Sequence, residues 1–215
     1  KYANEFAVYV DIEQNITEKL SLQYGLRLSN FIRLGQDELN VYENDHPVSF
    51  DPDLQIYKEA DPIDVINPKR SEQLATYTNL EPRIALAYSL DPNNSIKASY
   101  TRLSQYLHLL SNTSSPTPLD VWTPSGPFVK PQLLDQYALG YFKNLKDGDY
   151  SLETEVFYKD IQNRIDYIDG ANLIANDAIE QVILNGEARA YGFELLLRKN
   201  RDRFEGWLAY TLSKS

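Results

Sequence analysis

The chain has 215 residues, with 31 acidic against 21 basic side chains for a formal charge of −10, and neither cysteine nor methionine. Lack of thiols excludes disulfides and thiolate metal sites, and an acid-rich chain lacks the positive charge that a nucleic-acid backbone demands. No run of about eighteen apolar residues occurs, which excludes a membrane-spanning helix but not a barrel, whose strands are apolar on one face only. No signal peptide occurs in these residues, which on a fragment says nothing about export, and a start at Lys1 without methionine is expected of a segment cut from a longer chain. The 16 Tyr, 8 Phe and 2 Trp suit either a sandwich core or the aromatic girdles of a membrane barrel.

Taken in order, Glu5–Glu13 sets Phe6, Val8, Val10 and Ile12 against Glu5, Ala7, Tyr9, Asp11 and Glu13. Asn15-Ile16-Thr17 reverses the chain. Lys19–Ser29 then sets Leu20, Leu22, Tyr24, Leu26 and Leu28 against Lys19, Ser21, Gln23, Gly25, Arg27 and Ser29. Period two puts alternate side chains on opposite faces of a sheet, so the pair reads as an antiparallel hairpin. From Phe31 to Thr78 alternation fails. His46-Pro47, Asp51-Pro52, Asp61-Pro62 and Asn67-Pro68 resist both helix and central strand. Residues 33–72 hold ten acids and four bases, a net −6, and little regular sheet is expected there.

Alternation resumes with Leu80, Pro82, Ile84, Leu86, Tyr88 and Leu90 opposite Glu81, Arg83, Ala85, Ala87 and Ser89. After an Asp91-Pro92-Asn93-Asn94 turn, Ile96, Ala98 and Tyr100 oppose Lys97, Ser99 and Thr101. Leu103–Lys130 is a second long connection. Leu133, Asp135, Tyr137, Leu139 and Tyr141 then oppose Leu134, Gln136, Ala138, Gly140 and Phe142. Beyond a polar reversal at 144–148, Tyr150, Leu152, Thr154, Val156 and Tyr158 oppose Ser151, Glu153, Glu155, Phe157 and Lys159. Residues 161–187 make a third long loop. Tyr191, Phe193, Leu195 and Leu197 then oppose Ala190, Gly192, Glu194, Leu196 and Arg198, and Asn200-Arg201-Asp202 leads to a last strand, Phe204–Ser213, whose faces stay ambiguous. Short and long connections alternate throughout, and about ten residues per strand suffices to cross a bilayer at a tilt. The fold expected is all-β: an antiparallel transmembrane β-barrel segment of eight strands, with short periplasmic turns and long extracellular loops.

Several runs resemble the barrel of TonB-dependent outer-membrane receptors, especially the Bacteroidetes type. They are Glu81-Pro82-Arg83 leading into Ala87-Tyr88-Ser89-Leu90, Ser99-Tyr100-Thr101-Arg102 with Gln105, and Trp122-Thr123-Pro124-Ser125-Gly126. Asp135 to Tyr141, Glu155 to Lys159 with Asn163, Ala190-Tyr191-Gly192-Phe193-Glu194 and Trp207 to Ser215 continue the series. The resemblance implies that residues 1–215 are part of one barrel of about 22 strands plugged by a domain of the same parent chain. It implies energised nutrient uptake across the outer membrane of a Gram-negative bacterium. The partners implied are outer-membrane lipid, the plug, an unknown nutrient ligand, and the TonB complex reached through segments absent here. Catalysis and cofactors are not expected. Two alternatives stand beside it: a complete small eight-stranded structural or adhesive barrel, and a soluble ligand-binding β-barrel.

His46 and His108 have no metal-ligand spacing, Asp160, Asp166 and Asp169 lack a calcium-loop pattern, and the hydroxyl cluster 111–115 has no catalytic partner. The charges on the alternating strands are expected to face the lumen, among them Arg27, Arg83, Glu153, Glu155, Glu194 and Arg198. Their main expected role is to pair across strands and keep the interior wet; contact with the plug is the second. In the second loop Tyr106, His108 and Trp122 are candidate stacking surfaces for a ligand, against the preferred reading that they pack the loop onto the barrel rim.

Overall fold

A computed structural model describes residues 1–36, 38–111, 120–146, 148–173, 176–201 and 204–215. Most of the expected hydroxyl cluster (112–115) lies outside the described residues, as do Asp147 and Asp202 of two expected turns. Eight strands form one antiparallel sheet: β1 (Tyr2–Asn15), β2 (Leu20–Leu34), β7 (Gln73–Asp91), β8 (Asn94–Gln105), β11 (Gln132–Leu145), β12 (Tyr150–Tyr167), β13 (Ile183–Lys199) and β14 (Gly206–Lys214). Each pairs with its sequence neighbour in this series. Among the described residues β1 pairs only with β2 and β14 only with β13, so the sheet is open.

Turn chemistry sets the short reversals. Thr17 Oγ1 accepts from the backbone N–H of Lys19 and Leu20 at 3.2 and 3.0 Å. Asp91 accepts from the Asn93 N–H at 2.8 Å, a side-chain turn that pre-bends the chain after β7. At the other end the strands run further than alternation predicts: β2 reaches Leu34, β7 begins at Gln73 and β12 reaches Tyr167. Once both faces are wet or covered by loops, a strand needs no apolar–polar contrast, so sequence pattern underestimates its length. The first long connection also holds more sheet than expected. β3 (Leu39–Val41) pairs with β6 (Asp64–Ile66), and β4 (Val48–Asp51) with β5 (Ile56–Glu59), as nested two-stranded pieces between the proline pairs. In the second connection β9 (Leu107–Leu110) pairs with β10 (Val121–Pro124).

Pro82 marks a boundary inside the wall. The β7–β8 ladder begins at Arg83↔Thr101, whereas β7 pairs with β2 on both sides of Leu26↔Pro82. Proline has no N–H to give a second neighbour, so the ladder to β8 stops there and the upper ends of β7 and β8 part. A bulge at Gln162/Arg164 bends β12; Asn163 between them has φ 55° and donates its Nδ2 to the Pro131 carbonyl at 3.0 Å.

Register settles the faces. Tyr24, Ile84, Tyr100, Tyr137, Tyr158 and Tyr191 are successive partners on one side, and the Tyr100 and Tyr137 rings lie 4.9 Å apart. The apolar stretch is oblique to this line. On β1 it runs from Ile12 toward the long-loop end as Phe6, Val8 and Val10, and on β14 it is Leu208, Tyr210 and Leu212, nearer the short turns. A level band across tilted strands must drift in register in this way. The pairings Leu208↔Leu197 and Trp207↔Arg198 resolve β14, placing Leu208, Tyr210 and Leu212 on the apolar side and Trp207 on the charged side.

The buried core is not in the wall. It consists of Leu110, Val129, Ile168, Leu173, Ile179, Val182 and Ile183, contributed by the second and third long connections and the strand ends beside them.

Candidate binding face and loop cap

The charged face is built by the second residue of each alternating pair. Arg27 bridges two strands, at 3.3 Å from Glu5 on β1 and 3.7 Å from Glu81 on β7. Gln23 Nε2 donates to Asp11 at 3.0 Å. Arg83 lines a cleft of about 170 Å³ with Asp11 and Arg27, beside Gly25, where a Cβ would come within 2.8 Å of the Asp11 carboxylate. Further along, Glu153, Glu155 and Glu194 line a cleft of about 270 Å³ with Phe142, Leu196 and Thr211. Glu155 and Glu194 are direct cross-strand partners, an arrangement of like charges that costs stability by itself. Lys97 and Lys159 sit over the Phe142 and Phe157 rings at 4.6 and 5.2 Å. Arg198, opposite Trp207, occupies the short-turn end of the same face. The register puts Arg27, Arg83, Glu153, Glu155, Glu194 and Arg198 on one side of the sheet.

Where β7 and β8 part, the second loop is fastened to this face. Tyr106 leaves β8, and its ring stacks on Phe31 at 4.9 Å and 3°. Asn79 Nδ2 donates to the Tyr106 hydroxyl at 2.8 Å; that hydroxyl lies 2.7 Å from Ser29 Oγ, which donates to Glu81 at 2.5 Å. Since the serine proton goes to the carboxylate, the tyrosine proton goes to the serine, and a buried relay of Asn79, Tyr106, Ser29 and Glu81 results. Tyr77 donates to the Gly126 carbonyl at 2.7 Å and ties the return segment to the same strand. His108 is buried, with Nε2 3.0 Å from Ser125 Oγ, and burial pushes its pKa below the ordinary imidazole value.

The first and third loops join this assembly. Tyr42 donates to Glu180 at 3.1 Å, sets its ring edge-on to Phe128 at 5.3 Å, and is held protonated far into alkali by burial and the nearby Glu180. Gln181 Nε2 donates to the Ala60 carbonyl at 2.6 Å. The three long connections therefore form one cap.

Of the three candidate ligand residues, the structure places Tyr106 and His108 inside this cap, with their polar atoms engaged. Trp122, by contrast, is 60% exposed. It lies across from Leu109 on the β9–β10 hairpin, and Leu107 and Leu109 share its exposed side while His108 and Thr123 face inward. The Tyr106 relay itself escaped sequence reading. Ser29 and Glu81 are legible by alternation, but nothing in an aperiodic segment marks Tyr106 as their partner. Among the described residues no group of three or more His, Asp and Glu is placed to hold a metal ion.

An antiparallel wall with one charged and one apolar-aromatic face, and every long connection at one end, defines part of an outer-membrane β-barrel. The family model for the TonB dependent receptor-like β-barrel matches residues 2–215. The chain belongs to that family, and its place is the outer membrane of a Gram-negative bacterium. No curated protein sequence matches it. Solved structures match in fold. One is the FrpB iron transporter of Neisseria meningitidis (14% identity, TM-score 0.59, 99% of this chain and 26% of that one). Another is the ferric-catecholate import receptor Fiu of E. coli K12 in its closed form (17%, 0.56, 98% and 28%). A third is the copper transporter OprC (13%, 0.57, 99% and 30%). The chain thus spans less than a third of the length of these neighbours, which are transporters and receptors rather than enzymes.

Proposed function

We propose that residues 1–215 supply part of the wall and the outer loops of a TonB-dependent receptor for energised nutrient uptake. In this reading they are one section of a single larger barrel domain. The apolar face meets lipid, while the face carrying Arg27, Arg83, Glu153, Glu155, Glu194 and Arg198 lines the interior against a plug domain of the same parent chain. The TonB complex acts through segments outside these residues. The observation that carries the reading is the combination of two-faced alternation along the wall with three long connections at one end of it, fastened together as a cap. A soluble barrel would have no use for an exposed stripe such as Leu80, Ile84, Leu86, Tyr88 and Leu90.

Of the three candidate ligand residues Trp122, flanked by Leu107 and Leu109, is the one that stays open to a ligand. The neighbours' named cargoes are iron, a ferric catecholate and copper, so a metal chelate is the first cargo to test. The experiment is uptake of labelled iron and copper chelates by cells expressing the complete receptor, with and without a working TonB. Uptake that requires TonB and drops on Trp122→Ala supports the reading; the same uptake without TonB contradicts it.

A further inference from the structure

Beside the core of the cap lies a cleft of about 360 Å³ to which all three long connections contribute. Val48, Ile183 and Leu184 give it an apolar lining continuous with that core. Two rings, Tyr57 on β5 and Phe128 of the second connection, face it as well. Tyr57 stands 5.1 Å from Phe50, and Phe128 is steadied by Tyr42. Charges of both signs complete the lining: Asp45, with His46 beside it, from the first connection, and Lys130 from the second. Their backbones are fixed. The Asn185 amide accepts from the Lys130 N–H at 3.2 Å and donates to the Phe128 carbonyl at 3.1 Å, so one side chain clamps both ends of the segment 128–130. The Asp45 and His46 N–H groups donate to the Tyr42 and Glu43 carbonyls at 3.2 Å each, and Asn44 and Asp45 hold the left-handed backbone with φ 53° and 58°. Among the described residues, the side chains of Asp45 and Lys130 have no hydrogen-bond or ion-pair partner. The charges around them are accounted for: Lys58 pairs with Asp51 at 2.6 Å on the opposite face of β4 and β5, Glu180 accepts from Tyr42, and Glu43 and Glu59 do not line the cleft.

We propose that this cleft binds a short peptide with both termini free. Its ammonium goes to Asp45, its carboxylate to Lys130, and an apolar or aromatic side chain lies against Tyr57 and Phe128. The volume suits a small ligand, and a pocket of apolar and aromatic lining with a few convergent polar groups is what such ligands use. Opposite charges unpaired in one cleft are complementary to a molecule that carries both, with its own charges held apart as peptide termini are. A purely anionic ligand would meet Asp45, and a purely cationic one Lys130. The His46 imidazole can hydrogen-bond the peptide group between the termini. Because the ligand touches segments of all three connections, its binding also stabilises the assembled cap. The inference goes beyond the uptake reading, since binding to the cap needs no TonB.

The test is isothermal titration of the complete receptor in detergent micelles with glycyl-phenylalanine, its N-acetyl derivative and its amide. The free dipeptide should bind, and each derivative, with one charge removed, should bind about fivefold more weakly. Asp45→Asn should abolish the penalty of acetylation and keep that of amidation; Lys130→Gln should do the reverse. Both side chains are exposed and asparagine tolerates the left-handed backbone at position 45, so both variants keep the cap folded. No binding of the free dipeptide, or equal binding of the three compounds, overturns the site. So does a penalty that persists in the matching variant. None of these outcomes touches TonB-dependent uptake, which is measured separately on cells.

Discussion

The wall and the loop cap spend their apolar residues in opposite ways. In the wall, Phe6, Val8, Leu26, Ile84 and Leu139 are exposed, and all fourteen residues of β1 are open to their surroundings. In the cap, Val182 is fully buried, and Ile179 and Leu110 nearly so. The wall relies on a solvent of hydrocarbon to satisfy its apolar face; the cap, which stands in water, needs its own core. Apolar content is therefore a poor guide here, and the arrangement of that content is a good one.

The difference is broken most directly from the cap side. Ile179→Ala removes buried methyl groups and should cost the cap about 2–5 kcal/mol. Because Tyr42 and Ala60 of the first loop lean on the segment after Ile179, added protease should then cut within residues 35–72 as well as in the third loop. The wall should keep its heat-resistant, barrel-type gel mobility. If the first loop stays protected, the three loops are not one unit. From the wall side, Leu26→Arg places a charge on the apolar face at a cost of about 2–4 kcal/mol. Arg27→Leu, one residue away, should cost less, since its partner Glu5 remains on a wet face and its other partner, Glu81, keeps the hydrogen bond from Ser29; denaturant titration in detergent micelles ranks the pair.

Smaller effects sharpen the boundary between the regions. Tyr106→Phe deletes the proton that serves Ser29 and the acceptor that serves Asn79, a loss of about 1–3 kcal/mol felt by the second loop. Faster amide exchange should appear at Leu107–Leu110 and not along β11. His108 gives a pH signature. Its folded pKa lies below the unfolded value of 6.5, so its contribution is complete above that value and is lost as pH falls through the lowered one. Proteolysis of the second loop should accelerate on going from about pH 7 to pH 5, and His108→Gln should flatten that dependence.

How far the sequence could be read follows from the same contrast. The faces of β2, β7, β12 and β13 were legible because lipid on one side and charge on the other enforce period two. The second face of β14 was not, since Phe204 and Trp207 sit on opposite sides of any alternation, and only the ladder to β13 decides between them. Strand ends above the apolar band were also hidden, because Phe31 and Arg33 lie where neither face needs to be apolar. The cap was least legible. Its contacts, such as Tyr42 with Glu180 or Tyr106 with Ser29, join residues far apart in sequence and obey no period.

The measurement that reaches the central claim is a nitroxide scan of residues 22–28 in the complete receptor in bilayers. Labels at Leu22, Tyr24, Leu26 and Leu28 should be relaxed by oxygen dissolved in hydrocarbon, and labels at Gln23, Gly25 and Arg27 by a water-soluble nickel chelate or by neither. A profile without period two, or one in which the nickel chelate reaches the leucine positions, would contradict a wall with one face to lipid and one to the interior.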